Sequence, residues 1–278
     1  MKLPDFATET PLAVALDLDE TTLGSNSRLT GRTRRALHSV RAAGLPIIIA
    51  TSRPERVLSV LVGDDILQIT SLVQMNGTIA TGRAGLTGSF RWPIDHADAR
   101  LCWTIANEMN PQARMTMEID GIRFAVNHDD EVNSLWAFGN ASPTMVVAIE
   151  EAMRIGPAKV SINGLDNNLG ELAEALENRL SENTIVFRAA KAQFLNIVPR
   201  RATKSGAVAA LLNVANIALD DVLAFGDDYV DIDLMRDCGW SVAVDNAVPE
   251  VKSLARYGTA SNDDHGVAMV LERLVAAL

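Results

Sequence analysis

The chain has 278 residues, 48% of them apolar, with 25 Lys plus Arg against 35 Asp plus Glu and a formal charge of -10. That length accommodates one large or two ordinary domains around a substantial core, and an acidic balance with no basic run argues against a general nucleic-acid binder. Cys102 and Cys238 stand far apart and outside any CxxC or Cys/His pattern, which argues against a disulfide framework or a thiolate zinc site.

In chain order, MKLPDFATETPLAV has neither the charged start nor the long apolar stretch of a signal peptide, and no apolar run reaches membrane-spanning length. The expectation is a soluble, cytoplasmic protein. LAVALDLD is an apolar run that stops at Asp17 and Asp19. TGRTRRALHSVRAAG reads as a helix capped by Thr30 and closed by Gly44. LPIIIATS is a second apolar run and ends at Thr51; Ser52-Arg53-Pro54-Glu55 after it reads as a capping box with Pro in the first turn.

GRAGLTG, residues 82 to 88, is a turn-rich hinge or hairpin. Beyond it the pattern changes. DHADARLCWTIANEMN reads as helix, ARMTMEID and GIRFAVN as strands around Gly121, SPTMVVAIEEAM as helix, AKVSING as strand and LGELAEALENRL as helix. TIVFRAA and QFLNIVP follow as strands. Adjacent strands mixed with helices predict an α+β unit with an antiparallel sheet, occupying 82–189 as an insertion between 1–81 and 190–278. Trp92, Trp103 and Trp136 fall in it as core candidates, while Asp129-Asp130-Glu131 and NGLDNN read as solvated loops. The second flank resumes the first design: TKSGAVAALLNVA as a helix behind Thr203, DVLAFGDD stopping at Asp227, and WSVAVDN stopping at Asp245. Continuous apolar strands alternating with helices predict a doubly wound, Rossmann-like parallel α/β sheet, whose ligands bind beyond the carboxyl ends of the strands.

The polar stops gather there. Asp17 and Asp19, two apart, point the same way from a strand, and like charges held close resist joint ionisation. Alone, such a pair reads as a strand-end turn. Asp227 from a neighbouring strand end would relieve the repulsion by sharing a hard divalent cation such as Mg²⁺, which takes carboxylate oxygens plus waters and substrate phosphate. Lys204 near a helix N-terminus favours an anion, and the Thr51 hydroxyl can donate to a phosphate oxygen.

These residues resemble the haloacid dehalogenase superfamily, more closely its Cof-type phosphatase branch. The D-x-D-x-T motif is DLDET here (Asp17, Asp19, Thr21), the strand-closing Thr is Thr51 in ATSRP, the Lys is Lys204 in PRRATKSGAVAALL, and the acidic pair is Asp227 and Asp231 in GDDYVD. MNGTI, VDNAVPEVKSLA and SNDDHGVA are similar to Cof-type stretches in the same order. The resemblance implies that the insertion is a cap and that Mg²⁺ is held by Asp17, the Asp19 carbonyl and Asp227, with Asp231 beside them. It implies Asp17 as nucleophile, Asp19 as acid and base, and Thr51 and Lys204 on the transferring phosphoryl group. Ser52, Arg53 and Asn76 complete the expected phosphate- and substrate-contacting set.

The expected partner is a small phosphorylated metabolite, a sugar or polyol phosphate, with neither nucleic acid nor membrane. Hydrolysing such an ester can require acceleration of up to about 10²¹, whereas general acid–base catalysis supplies roughly 10² to 10⁴, so a nucleophile, a metal and fixed charge are all called for. A phosphomutase would use the same aspartyl-phosphate and is separated by its failure to release free phosphate. A silent binding module is the rival from another class. It is raised by Val230, where Asn is usual in the family, and by Glu20, where Gly is usual; Ser52, also in place of a usual Gly, is a further departure. Loss of a polar group beside a metal typically weakens binding or activity by about 10- to 100-fold.

Overall fold

The computed structural model describes residues 2–128, 140–163, 169–188 and 194–278. Trp136, the Asp129–Glu131 run and most of NGLDNN lie outside them. The described chain divides into two compact units: Met1–Arg53, Leu58–Phe90 and Thr203–Leu278 form one, and Pro54–Val57 with Arg91–Ala202 form the other.

The first unit opens with β1 (Ala13–Leu16), α1 (Gly31–Ala42) and β2 (Ile47–Ala50). AVAL and IIIA are buried at every position, the signature of strands covered on both faces. The Thr30 hydroxyl accepts from the Thr33 N–H and so starts α1. A 3₁₀ turn (Glu55–Val57) leads into α2 (Leu58–Val62) and α3 (Asp64–Gln68), then β3 (Ser71–Gln74), β4 (Ile79–Thr81) and β5 (Ser89–Arg91). GRAGLTG joins β4 to β5, closed by a Gly82 N–H to Gly88 carbonyl bond of 2.8 Å, and is therefore the hairpin of the two alternatives.

The second unit follows with α4 (His96–Met109), β6 (Arg114–Glu118), β7 (Phe124–Val126), α5 (Ile149–Ile155), β8 (Lys159–Asn163), α6 (Leu169–Arg179), β9 (Thr184–Arg188) and β10 (Phe194–Pro199). Its sheet runs β7-β6-β8-β10-β9 with antiparallel neighbours throughout. Met115, Met117, Val160, Ile162, Leu195 and Ile197 pack from the strands against Cys102, Ile105, Met153, Leu172 and Leu176 of the helices, and Trp103 packs against that core. The helix predicted over SPTMVVAIEEAM begins late. Pro143–Met145 is a 3₁₀ turn, and Val146 bridges to Phe124 with the Val147 N–H on the Phe124 carbonyl at 2.9 Å. Two β-branched residues beside an open strand edge favour pairing over helix.

The unit boundaries also differ from 82–189. Residues 82–90 belong with the first unit because β4 and β5 extend its sheet. Residues 194–202 belong with the second because β10 lies between β8 and β9.

The chain then returns to the first unit with α7 (Lys204–Asn213), capped by Thr203, followed by β11 (Val222–Gly226), α8 (Ile232–Asp237), β12 (Trp240–Ala243), α9 (Pro249–Leu254), β13 (Tyr257–Gly258) and α10 (Gly266–Ala277). Among the described residues its sheet has the order β13-β12-β11-β1-β2-β3-β4-β5, parallel from β13 to β3 and antiparallel at β3–β4. The strand order reverses between β1 and β11, the switch point at which ligands of doubly wound sheets bind. Among the described residues no helix is long and apolar enough to cross a membrane.

Candidate active site

Asp17 follows β1 and Asp227 follows β11, the two strands flanking the switch point. The Asp17 N–H donates to the Phe225 carbonyl at 3.2 Å, so pairing of the strands fixes the two stops side by side. Asp17, Asp227 and Asp231 bring carboxylate oxygens within 4.8 Å of one another. Lys204 Nζ donates to Asp17 Oδ1 and to Asp231 Oδ1, each at 2.6 Å, and its side chain is 0% exposed.

Asp231 is committed on both oxygens. Its Oδ2 accepts from the backbone N–H groups of Asp227 and Asp228 at 3.1 and 3.2 Å. A Cβ on Gly226 would lie 2.6 Å from Asp231 Cβ, so the glycine makes room for this closure. The loop is thus held by Asp231 itself, with Val230 inside the 3₁₀ turn Tyr229–Asp231. Thr21, part of the DLDET motif but given no role from sequence, donates to Asp227 Oδ1 at 2.7 Å, and Thr22 donates to the Asp17 carbonyl at 2.5 Å. Two hydroxyl residues closing the acidic DLDE run were the available signal.

Thr51 is fully buried, and its N–H donates to the Val73 carbonyl at 2.8 Å. Its Oγ1 accepts from the Arg53 N–H at 3.1 Å. The Arg53 guanidinium grips Asp19, with Nε 2.9 Å from Oδ2 and Nη2 2.7 Å from Oδ1. Asn76 joins this neighbourhood through its N–H to the Thr51 carbonyl at 3.1 Å; its Oδ1 is buried without a hydrogen-bond partner. The turn carrying Asn76 lies against the start of α7, where a Cβ on Gly77 (φ +94) would stand 2.1 Å from the Thr203 carbonyl oxygen. Ser52 is half-buried beside Thr51 in the chain.

The electrostatics are those of crowded acid groups. Burial pushes the Asp17 carboxyl well above the usual carboxylate range, and the Asp231 charge adds to it against the pull of Lys204. Asp227 is pushed up to about 7, chiefly by burial and against its Thr21 hydrogen bond, with the Asp231 and Asp228 charges adding. Burial works against the Lys204 charge, but the Asp17 and Asp231 carboxylates outweigh it and hold the ammonium above its ordinary range. Once all three carboxylates are ionised, the single ammonium leaves two negative charges at one locus. The bonds above use Asp17 Oδ1 and Asp227 Oδ1 and leave the second oxygen of each outside them. Hard oxygen donors with that residual charge fit a divalent cation.

Glu20 stands where the backbone favours glycine. It adopts φ +57, the left-handed region that favours glycine, and its carbonyl accepts from Asn246 Nδ2 at 2.7 Å. Left-handed backbone costs a residue with a Cβ about 1–2 kcal/mol, part of which glycine returns as entropy in the unfolded chain. Glu20→Gly is expected to raise stability by about 0.5–1 kcal/mol in urea unfolding. A loss of stability would show that the Glu side chain, rather than backbone strain, governs this position.

A doubly wound α/β sheet with a lysine-braced acidic cluster at its switch point defines the class. The haloacid dehalogenase-like hydrolase family model matches residues 14–271. The 5-amino-6-(5-phospho-D-ribitylamino)uracil phosphatase YwtE of Bacillus subtilis is 24% identical over 284 residues, covering 95% of this chain and 98% of its own. A haloacid dehalogenase-like hydrolase from Bacteroides thetaiotaomicron superposes with a TM-score of 0.82 at 22% identity, over 95% of this chain and 100% of that one. The HAD subclass IIB sugar phosphatase BT4131 superposes with a TM-score of 0.74 at 20% identity, over 96% of this chain and 99% of that one. The chain belongs to the haloacid dehalogenase-like hydrolases, in the Cof-type phosphatase branch that its motifs resemble, and is a phosphoric monoester hydrolase.

Proposed function

We propose that this phosphatase hydrolyses a small phosphorylated metabolite, a sugar or polyol phosphate, through a phosphoryl-aspartate on Asp17 and with Mg²⁺ as its metal. The observation that carries the reading is the cluster of Asp17, Asp227 and Asp231 braced by Lys204 at the β1/β11 switch point. The Asp17 carboxylate attacks phosphorus, and the bond to the leaving oxygen breaks as Asp19 gives that oxygen a proton. Asp19 then takes a proton from the water that attacks the phosphoryl-aspartate, which releases free phosphate and restores Asp17.

Lys204, Thr51 and the Arg53 N–H groups face the phosphoryl oxygens, so an incoming phosphate competes with Asp19 for Arg53 and frees the acid for its role. Asp17, Asp227 and the Asp19 carbonyl, with Asp231 in support, would hold Mg²⁺, which would supply positive charge to the transferring group when bound. Ser52, next to Thr51 in the chain, and Asn76, bonded through its N–H to the Thr51 carbonyl, complete the proposed phosphate-contacting set. The Arg91–Ala202 unit serves as the cap that reads the leaving group. BT4131, described as a sugar phosphatase, and YwtE, named for a phospho-ribityl compound, support a polyhydroxylated leaving group.

A panel of sugar and polyol phosphates assayed for phosphate release with Mg²⁺ or with EDTA tests the function. Release from at least one ester that stops with EDTA is expected, and inactivity across the panel contradicts the reading. Metal binding also has a stability signature. Asp17 and Asp227 have folded-state pKa values raised above the unfolded value of 3.8, so without metal they contribute stability below that value. For Asp227 the contribution is lost as pH rises through about 7. Mg²⁺ replaces the protons, so its stabilisation is expected to be larger at pH ~8 than at pH ~5, reaching about 2.7 kcal/mol at 100 times Kd. Thermal melts with EDTA or Mg²⁺ at both pH values check this, and a larger effect at the lower pH would contradict it.

A further inference from the structure

The loop that leaves β1 folds back on itself. The Thr22 and Leu23 N–H groups both donate to the Leu18 carbonyl, at 3.0 and 2.8 Å, which places Asp19 and Glu20 at the bend. Glu20 is the strained residue of that bend, at φ +57, and a residue with a Cβ keeps left-handed backbone only where its surroundings impose it. Two asparagines from the C-terminal flank supply the hold. Asn246 Nδ2 donates to the Glu20 carbonyl at 2.7 Å, and Nδ2 of the buried Asn262 donates to the Leu23 carbonyl at 3.0 Å. The Asn262 N–H donates to Asn246 Oδ1 at 3.0 Å, so the Asn246 amide is engaged at both ends and the two clips are joined.

The turn after β12 that carries Asn246 is itself fixed. The Ala247 N–H closes it on the Val244 carbonyl at 3.0 Å, and the Val248 N–H donates to the Asp227 carbonyl at 2.9 Å. The short stretch 246–248 therefore bonds the backbone of the loop after β1 and that of the loop after β11. Thr21 closes the circuit from the other side through its 2.7 Å bond to Asp227 Oδ1. Every residue of this network belongs to the first unit.

We propose that Asn246, itself oriented by Asn262, is a positioning residue for Asp19. By holding the Glu20 carbonyl it keeps the bend left-handed, and so fixes the direction in which the adjoining Asp19 carboxyl meets the leaving oxygen. Without that donor the bend relaxes toward negative φ, which rotates the Asp19–Glu20 peptide. The inference rests on the reading of Asp19 as acid and base, and it goes further by naming the group that aims the acid.

The test compares kcat/KM for the best sugar or polyol ester of the panel with kcat/KM for p-nitrophenyl phosphate, both with Mg²⁺. This quantity covers the steps only as far as departure of the leaving group. In each ester the phosphorus–oxygen bond breaks and its electron pair goes to the leaving oxygen. A sugar or polyol oxygen has to take the Asp19 proton, whereas p-nitrophenolate leaves as a stable anion. Asn246→Ala is expected to lower kcat/KM on the order of 10- to 100-fold for the sugar or polyol ester and less than about threefold for p-nitrophenyl phosphate, because only the first needs an aimed acid. Asn246→Asp keeps the acceptor for the Asn262 N–H and loses the donor to Glu20, and the same selective loss is expected. Asn246 is exposed, and thermal melts of both variants are expected to stay near wild type.

Equal losses on the two esters, or an unchanged kcat/KM for the sugar or polyol ester, would overturn the proposal. Where Asn246→Ala fails to fold, Asn246→Asp decides by the same reading. Asp19→Asn is expected to show the selectivity in larger measure; an equal loss on both esters there would remove the acid role of Asp19 and the proposal with it. Wild-type protein inactive toward both esters would instead refute the phosphatase reading, a result seen before any variant is made.

Discussion

Asp17→Asn is expected to abolish Mg²⁺-dependent phosphate release, with kcat falling on the order of 10⁴-fold or more, while the fold persists. The amide cannot displace an alkoxide from phosphorus, and loss of a nucleophile removes a unit that its neighbours do not replace. The structural consequence has the opposite sign. Asp17 sits with two other carboxylates, and burial and the Asp231 charge already oppose its ionisation. An isosteric amide removes one charge from that cluster and leaves Lys204 its bond to Asp231. The metal-free variant is therefore expected to melt no lower than wild type, and to gain less stability from Mg²⁺. Near-normal turnover in a folded variant would remove Asp17 from the chemistry.

Lys204→Met produces the largest expected loss of stability. Lys204 donates to both Asp17 and Asp231 from a position with no exposure, and no other cation is seen bonded to either carboxylate among the described residues. Removing one partner from a buried ionic cluster costs about 3–5 kcal/mol because the charges left behind are uncompensated. Urea unfolding of the metal-free protein should show that deficit, and Mg²⁺ should recover part of it. Turnover should fall by about 10²- to 10³-fold even when metal restores the fold, because a fixed charge facing the phosphoryl oxygens is gone. Lys204→Arg is expected to rescue neither property, since the planar fork cannot take the place of a compact ammonium between two closely held oxygens. A change in stability below about 1 kcal/mol would mean that the cluster is not ionised as described.

The strand ends were legible because a buried parallel strand writes itself as an uninterrupted apolar run, and the first polar residue after it marks where the strand stops. AVAL before Asp17, IIIA before Thr51 and VLAFG before Asp227 all obey that rule. Thr30 and Thr203 likewise announced their helices through capping.

What stayed hidden depends on pairing between distant residues. β5 is only three residues and takes its identity from lying beside β4, which moved the unit boundary. Val146 and Val147 lie in a segment whose pattern is helical, and the open edge at Phe124 draws them into extended pairing. Thr21 gains its role only when β1 and β11 bring Asp227 next to it. Pro54–Val57 belongs with a unit that begins more than thirty residues later, through contacts of Arg56 that no local pattern encodes. Glu20 is a case of the reverse kind, where the family's usual glycine marked a left-handed backbone that this chain keeps without one.

Passage of the phosphoryl group through Asp17 leaves a covalent mark on the protein. An acid-quenched single turnover with a phosphoryl-labelled sugar phosphate, followed by borohydride reduction and peptide mapping, tests it most directly. Label bound in a hydroxylamine-sensitive form is expected, with conversion of residue 17 to homoserine in the peptide containing LDLDETTLG. Turnover without any labelled protein, or label on a different residue, would contradict it.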